Sequence, residues 1–189
     1  MTDWNDLLVD QLTLHWESRL RPRLAGLTDD EYFWEPVDGC WSLRPEGEST
    51  AKIAVGGGRL KADYEWPEPD PAPVTTIAWR IAHLLIGVFG DRNASQFGAE
   101  PVDYATYVYP ETAAEAIDQL DAAYATWVAG VRGLGEEGLG RPAGPSEHEW
   151  SEELVSRLVL HIHREVVHHG AEIALLRDLY AHRPLASSR

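Results

Sequence analysis

The sequence predicts an all-α domain built as a four-helix bundle, with a long irregular connection between the first and second helices. Three observations lead there. Four segments repeat apolar residues at the three-and-four spacing of one helix face, and the stretch 34–73 breaks that pattern throughout. A chain of 189 residues with 44% apolar content is also long enough to bury one substantial core. Residues 1–189 are therefore expected to form a single domain.

The first helix falls at about residues 3–24, where Trp4, Leu8, Leu12, His15, Trp16 and Leu20 recur at helical spacing. Leu27-Thr28-Asp29-Asp30 begins a break. Pro36, Gly39, Pro45 and Gly56-Gly57-Gly58 then interrupt any regular element, and residues 67–73 read as extended, polyproline-like chain. Trp34, Trp41, Trp66 and Tyr64 lie in or beside this connection. They either wall a ligand site at the open end of the bundle or anchor the loop over the core.

Thr75 or Thr76 caps the second helix, which runs through Ile77, Trp79, Ile81, Leu84, Leu85, Val88 and Phe89 with His83 in its middle. Being apolar nearly all round, it is expected to be buried. Thr112-Ala113-Ala114-Glu115 is a capping-box pattern that opens the third helix, and Ile117, Leu120, Tyr124, Trp127, Val128 and Val131 continue it. Gly133, Gly135, Gly138 and Gly140 mark its exit. The fourth helix starts at Ser151, carries Glu152 and Glu153 in a first turn whose dipole favours acids, and stops near Arg183-Pro184.

The fourth helix holds the chemistry. His161, Glu165, His168, His169 and Glu172 crowd a segment that otherwise reads as apolar-faced. With Glu165 set at zero and roughly 100° per residue, Leu154, Leu158, His161, Ile162, His169, Glu172, Ile173, Leu176 and Tyr180 all fall within about 80° of it. The polar groups are thus expected in the core stripe, where burial is costly unless something binds them. Glu165 and His169, four residues apart, project together. If the second and fourth helices are neighbours, His83 completes a set of two imidazoles and one carboxylate. That set suits zinc with an open position, or iron or nickel with more than one. The plain alternative is a Glu165–His169 hydrogen bond inside the core, with His83 a satisfied core histidine.

His161 and His168 compete for the same role or orient a ligand from behind. His163 points away from Glu165 and is expected to face solvent. Glu172, His161 and His15 are candidates for proton transfer or support, and Arg80 is placed to reach a pocket mouth and meet a substrate carboxylate. Neither the His-Glu-x-x-His pattern of zinc proteases nor its inverted form fits these spacings. Cys40, in a turn-like stretch with no assignable base, reads as a small packed residue rather than a nucleophile.

Composition narrows the partners. A formal charge of −15 repels phosphate backbones and anionic membranes, so neither nucleic acid nor membrane is expected to bind. One cysteine allows no intramolecular disulfide, and the N-terminal segment has neither a basic start nor an apolar export run. A cytoplasmic location fits both. Lys52 and Lys61 are the only lysines among 16 basic residues, a bias typical of a GC-rich genome.

Trp34-Glu35-Pro36-Val37-Asp38-Gly39-Cys40-Trp41-Ser42, Ile81-Ala82-His83-Leu84 and Arg164-Glu165-Val166-Val167-His168-His169-Gly170-Ala171-Glu172 together resemble the DinB-like superfamily, which includes bacterial mycothiol-dependent maleylpyruvate isomerases and related thiol transferases. The resemblance covers nearly the whole chain in the right order. It implies an up-down-down-up bundle and a divalent metal held by a helix-two histidine and a pair on the last helix, here His83, Glu165 and His169. Many members carry a histidine where this chain has Glu165, which lowers the charge of the site and leaves His168 as a rival to His169. The resemblance implies a metal-dependent thiol S-transferase or isomerase using mycothiol or a similar thiol, with a metal-dependent hydrolase close behind. The other class is a non-catalytic, stress-associated binding protein. A small-molecule substrate and a homodimer through exposed helix faces are expected alongside.

Overall fold

The computed structural model describes residues 3–49 and 51–184, which are mostly helical. Helix α1 (Trp4–His15) is capped by Asp3, whose carboxylate accepts the N–H groups of Asn5 and Asp6 at 2.9 and 3.1 Å. The run continues through a π-helical turn, Trp16–Leu20, into the short α2 (Arg21–Arg23). There the Arg21 N–H reaches five residues back to the Trp16 carbonyl, and Pro22 has no N–H to donate. Helix α3 (Asp29–Tyr32) forms inside the expected break, with Thr28 accepting the Glu31 N–H. Trp4, placed on the apolar face by its spacing, is 63% exposed. It lies one turn beyond the buried face of Val9, Leu12, Trp16 and Leu20.

Of the two threonines, Thr76 is the cap, accepting the Trp79 N–H at 3.2 Å. The run it opens contains α4 (Ile77–His83), a π-helical stretch Leu84–Gly90 and α5 (Asp91–Phe97), and it ends at Gly98 in the left-handed conformation, φ 71°. Helix α6 (Ala113–Leu139) opens on Thr112, which accepts the Glu115 N–H, while the Glu115 carboxylate returns to the N–H of Glu111. A kink at Gly135, φ 61°, falls within the glycine-rich exit.

Helix α7 (Val155–His182) begins later than the sequence suggests. Residues 141–143 and 153–155 pair instead: the Ala143 N–H bonds Glu153 O at 2.8 Å and the Val155 N–H bonds Arg141 O at 2.9 Å. Those bonds hold the segment extended, so Glu152 and Glu153 precede the helix rather than occupying its first turn. A 3₁₀ turn, Pro145–Trp150, fills the gap.

α1 packs on α6 and α7, α4 packs on α6 and α7, and α6 touches α7. Between them lie Leu12, Leu20, Ile81, Leu84, Phe89, Leu120, Trp127, Val166 and Ile173, all buried, and their removal from water is the main drive to fold. Trp16 stacks flat on Tyr124, with ring centroids 4.0 Å apart. The buried side of α7 comprises Val155, Leu158, Val159, Ile162, His163, Val166, His169, Gly170, Ile173 and Leu176. Its centre lies roughly 80° round the helix from Glu165. The acidic and imidazole groups of α7 therefore line the rim of the core, not its middle.

The connection after α3 is not wholly irregular. It folds an antiparallel sheet of β1 (Leu43–Pro45), β2 (Ile53–Val55) and β3 (Leu60–Tyr64) in the order β1-β3-β2. Leu43, Leu60 and Ala62 turn inward and join the helical core. Beyond it, residues 67–73 are not one extended run: the chain bends at 66–67 and 70–71, where Trp66–Pro67 and Asp70–Pro71 are cis.

Asp63 pins this sheet to the helices. Its carboxylate accepts the Ser42 N–H (2.9 Å), Arg44 Nε (2.9 Å) and Ser49 Oγ (2.6 Å), and its carbonyl accepts Trp79 Nε1 on α4 at 2.8 Å. Asp63 is 1% exposed, so replacing it leaves the Arg44 guanidinium short of a partner in a largely dry setting. Asp63→Ala is expected to lower the unfolding free energy by about 3–5 kcal/mol, read from urea denaturation.

Candidate metal centre between α4 and α7

Where α4 meets the middle of α7, two imidazoles face each other. The rings of His83 and His169 stand edge to face, with centroids 4.8 Å apart and planes at 90°. Each is held by its other side. His83 Nδ1 lies 3.1 Å from the Tyr104 hydroxyl, and the ring stacks on Trp79 at 5.7 Å. Trp79 leans in turn on Trp41. Gly87 makes this possible, because a Cβ there would come within 2.5 Å of the Tyr104 hydroxyl. His169 Nδ1 lies 2.7 Å from Glu172 Oε2, which places the proton on that nitrogen and leaves Nε2 toward Glu165 Oε2, 3.5 Å away.

The structure sets His83 against His169 and Glu165 beside His169, and adds the hydrogen bonds that fix both rings. Burial pushes the His83 imidazole down to about 4, with the neighbouring His169 and Arg80 adding to the effect. Burial lowers His169 as well, against the opposing hydrogen bond from Glu172. Both are therefore neutral near pH 7, the form that donates a lone pair to a metal.

The supporting residues sort by position. Glu172 carries the Nδ1 hydrogen bond and sits 2.9 Å from Arg80 Nε, a charge contact whose N–H is not aligned for a hydrogen bond. Arg80, largely buried over the Trp79 ring, meets Glu172 and the edge of His169. It therefore lies beside the imidazoles as well as at a pocket mouth. His168 Nε2 is 3.5 Å from Glu172 Oε1 and its side chain is 63% exposed. His168, His169 and Glu172 each offer a donor atom within 4.8 Å of the others, a group that could hold a metal ion and that shares only His169 with the three residues the sequence selects. His161 Nδ1 lies 3.5 Å from Glu165 Oε1, with Arg164 bridging the two. No hydrogen bond or ion pair joins His15 to this group among the described residues; its Nε2 is buried without a partner.

The aromatics of the connection divide. Trp34 lines a groove of about 690 Å³ with Pro36, Leu175 and Leu179, and Arg80 and Glu172 form part of its wall. Trp41 packs between Trp79 and Tyr64 instead, and Trp66 is 77% exposed. Cys40 is buried, and desolvation, helped by Glu35, raises its thiol to about 11. It is a packed residue, as its setting in the sequence suggests.

One expectation is overturned. His163 does not face solvent: it is 8% exposed and meets the edge of Trp127, centroids 6.2 Å apart. The buried side of α7 is wider than the stripe counted from Glu165 and turned away from it, so it takes in the position opposite Glu165. Burial holds His163 near 4, against about 6.5 in the unfolded chain. The unfolded chain therefore takes up a proton first on acidification. The contribution of His163 is complete above about pH 6.5 and drains as pH falls toward 4. Between pH 7 and pH 5 it should cost about 2 kcal/mol, so His163→Leu is expected to flatten the acid side of the stability curve by about that amount in urea titrations at the two pH values.

Comparison with known proteins adds to this geometry. A stretch of 73 residues, 38% of the chain, is 37% identical to part of the uncharacterized sugar kinase YgcE of Escherichia coli strain K12. The match spans only 15% of that protein's length. No solved structure matches the chain. The family model of the DinB superfamily matches residues 11–173, a span that includes α4, the rim of α7 and the sheet between the first two helical runs. The chain belongs to the DinB superfamily.

Proposed function

We propose that this chain is a divalent-metal protein in which His83, Glu165 and His169 hold one ion, zinc ahead of nickel or iron, and that it serves as a thiol S-transferase or isomerase using mycothiol or a similar low-molecular-weight thiol. Its four helical runs are taken as a four-helix bundle in up-down-down-up order. The observation that carries the reading is the pairing at the helix contact: the His83 and His169 rings 4.8 Å apart, with His169 Nδ1 on Glu172 and its far side toward Glu165. A ligating imidazole characteristically gives its other N–H to a carboxylate, which fixes the ring and raises its basicity. Glu172 and the Tyr104 hydroxyl stand in those two places. Glu172 is already engaged by Arg80 and His169, and His168 is exposed, so the overlapping cluster is the weaker cage.

Two neutral imidazoles and a carboxylate leave an ion with an open position. Held by these residues, the ion would supply Lewis acidity toward a thiol or water. The chain's own residues position the reactants. Arg80 holds Glu172 in place beside His169, Trp79 and Tyr104 fix His83, and Trp34 with the α7 leucines covers the groove beside them. His161, one turn before Glu165, is a neutral imidazole within reach of its carboxylate and suits proton exchange with solvent.

Purification without chelators should yield about one divalent ion per chain by elemental analysis. His83→Ala and His169→Ala should lose it, whereas His168→Ala should retain it. Glu172→Gln should weaken metal affinity about 10–100-fold without abolishing binding. Transfer of the thiol to an electrophile by the metal-loaded wild type, absent in His83→Ala, supports the enzyme. Full metal loading with no turnover toward any thiol acceptor would point instead to a binding protein.

A further inference from the structure

A second cavity lies one to two turns from the centre along α7, in the direction of the α7 N-terminus. It measures about 550 Å³, within the range of small-molecule sites. Three elements build it: α5 supplies Arg92, the 3₁₀ turn supplies Glu147 and Trp150, and the first three turns of α7 supply Arg157, His161 and Arg164.

Its chemistry is unlike the rest of the chain. Although the molecule carries a formal −15, three guanidinium groups gather here, each beside a carboxylate: Arg92 meets Glu147 and Asp91, Arg157 meets Glu153, and Arg164 meets Glu165. Arg92 donates to Gly87 O and Glu147 but leaves its Nε buried without a partner, so part of its fork is unused. Arg157 lies over the face of Trp150 at 5.1 Å, with Glu153 beside it. The apolar part of the wall is equally unusual, since Trp150, Leu154 and Leu160 are 52%, 48% and 57% exposed. Exposed large apolar side chains gathered around an arginine-lined hollow mark a place where something amphipathic binds. His161 joins the cavity to the candidate metal centre, for it lines the hollow and its Nδ1 lies 3.5 Å from Glu165 Oε1.

We propose that this cavity binds a small organic anion, a carboxylate or sulfonate on an apolar or aromatic body, with the anionic group among Arg92, Arg157 and Arg164 and the body against Trp150, Leu154 and Leu160. This extends the metal-enzyme reading: the anion is the part of the substrate or thiol that anchors it while its reacting atom reaches past His161 toward Glu165. Arginine forks suit carboxylate and sulfonate oxygens, and the half-exposed Trp150 offers a flat face to an aromatic body.

Naphthalene-1-sulfonate and its neutral isostere naphthalene-1-sulfonamide test this by isothermal titration, on chelator-treated and zinc-loaded protein alike. The sulfonate should bind in both states, and the sulfonamide at least about tenfold more weakly. The exposed side chains of Arg157 and Arg164 make their removal safe for the fold. The double variant Arg157→Gln/Arg164→Gln should lose about tenfold or more in sulfonate affinity, while Arg59→Gln, at a surface pair elsewhere, should lose none. Equal binding of sulfonate and sulfonamide, or a double variant that binds as the wild type does, would overturn the subsite. Arginine-dependent sulfonate binding by a protein that takes up no zinc would leave the subsite standing and remove the metal reading alone.

Discussion

Two imidazoles meeting between α4 and α7 are the contact on which the rest of this molecule turns. His83 and His169 are taken from water by the same helix packing that buries Ile81, Leu84, Val166 and Ile173. A neutral histidine can tolerate that setting only if its ring nitrogens find partners. Tyr104 and Glu172 supply one partner each, and both are elaborately placed. Tyr104 reaches His83 because position 87 has no side chain. Glu172 is kept by Arg80, whose own place over Trp79 depends on the Asp63 carbonyl that holds the indole. The small sheet thus does more than close a loop: through Asp63 and Trp79 it fixes one wall of the imidazole pair.

The electrostatics follow the same layout. A chain with a large negative charge would ordinarily repel anions, yet arginines line the hollows on both sides of the imidazoles. Arg80 stands on one side of the imidazoles, and Arg92, Arg157 and Arg164 stand on the other. The two hollows they line are separate, and both border α7. Apolar surface is exposed in both, through Leu175 and Leu179 at one end and Trp150, Leu154 and Leu160 at the other.

Much of this was legible in the residues. Thr76 and Thr112 carry the capping chemistry their positions imply, and the four-residue spacing of Glu165 and His169 delivers the contact it promises. The meeting with His83 was legible only on the condition that two helices were neighbours, which no local pattern states. Other features hid for physical reasons. The strands β1, β2 and β3 are three to five residues long and owe their place to Asp63 and the inward Leu43, Leu60 and Ala62, so they leave too short a period to read. The late start of α7 depends on pairing between residues 141–143 and 153–155, a tertiary event. The burial of His163 could have been found by centring the helical wheel on Ile162, Val166 and Ile173 rather than on the charged residue of interest. The arginine cavity needs three separate elements and has no sequence signature at all.

The central claim, that His83, Glu165 and His169 form one coordination sphere, is tested most directly by X-ray absorption at the zinc edge of the loaded protein. The account requires a first shell of nitrogen and oxygen at about 2.0–2.1 Å with the outer-ring scattering of two imidazoles, falling to one in His83→Ala if any zinc is retained. A single imidazole in the wild type, or a spectrum unchanged by His83→Ala, would contradict it.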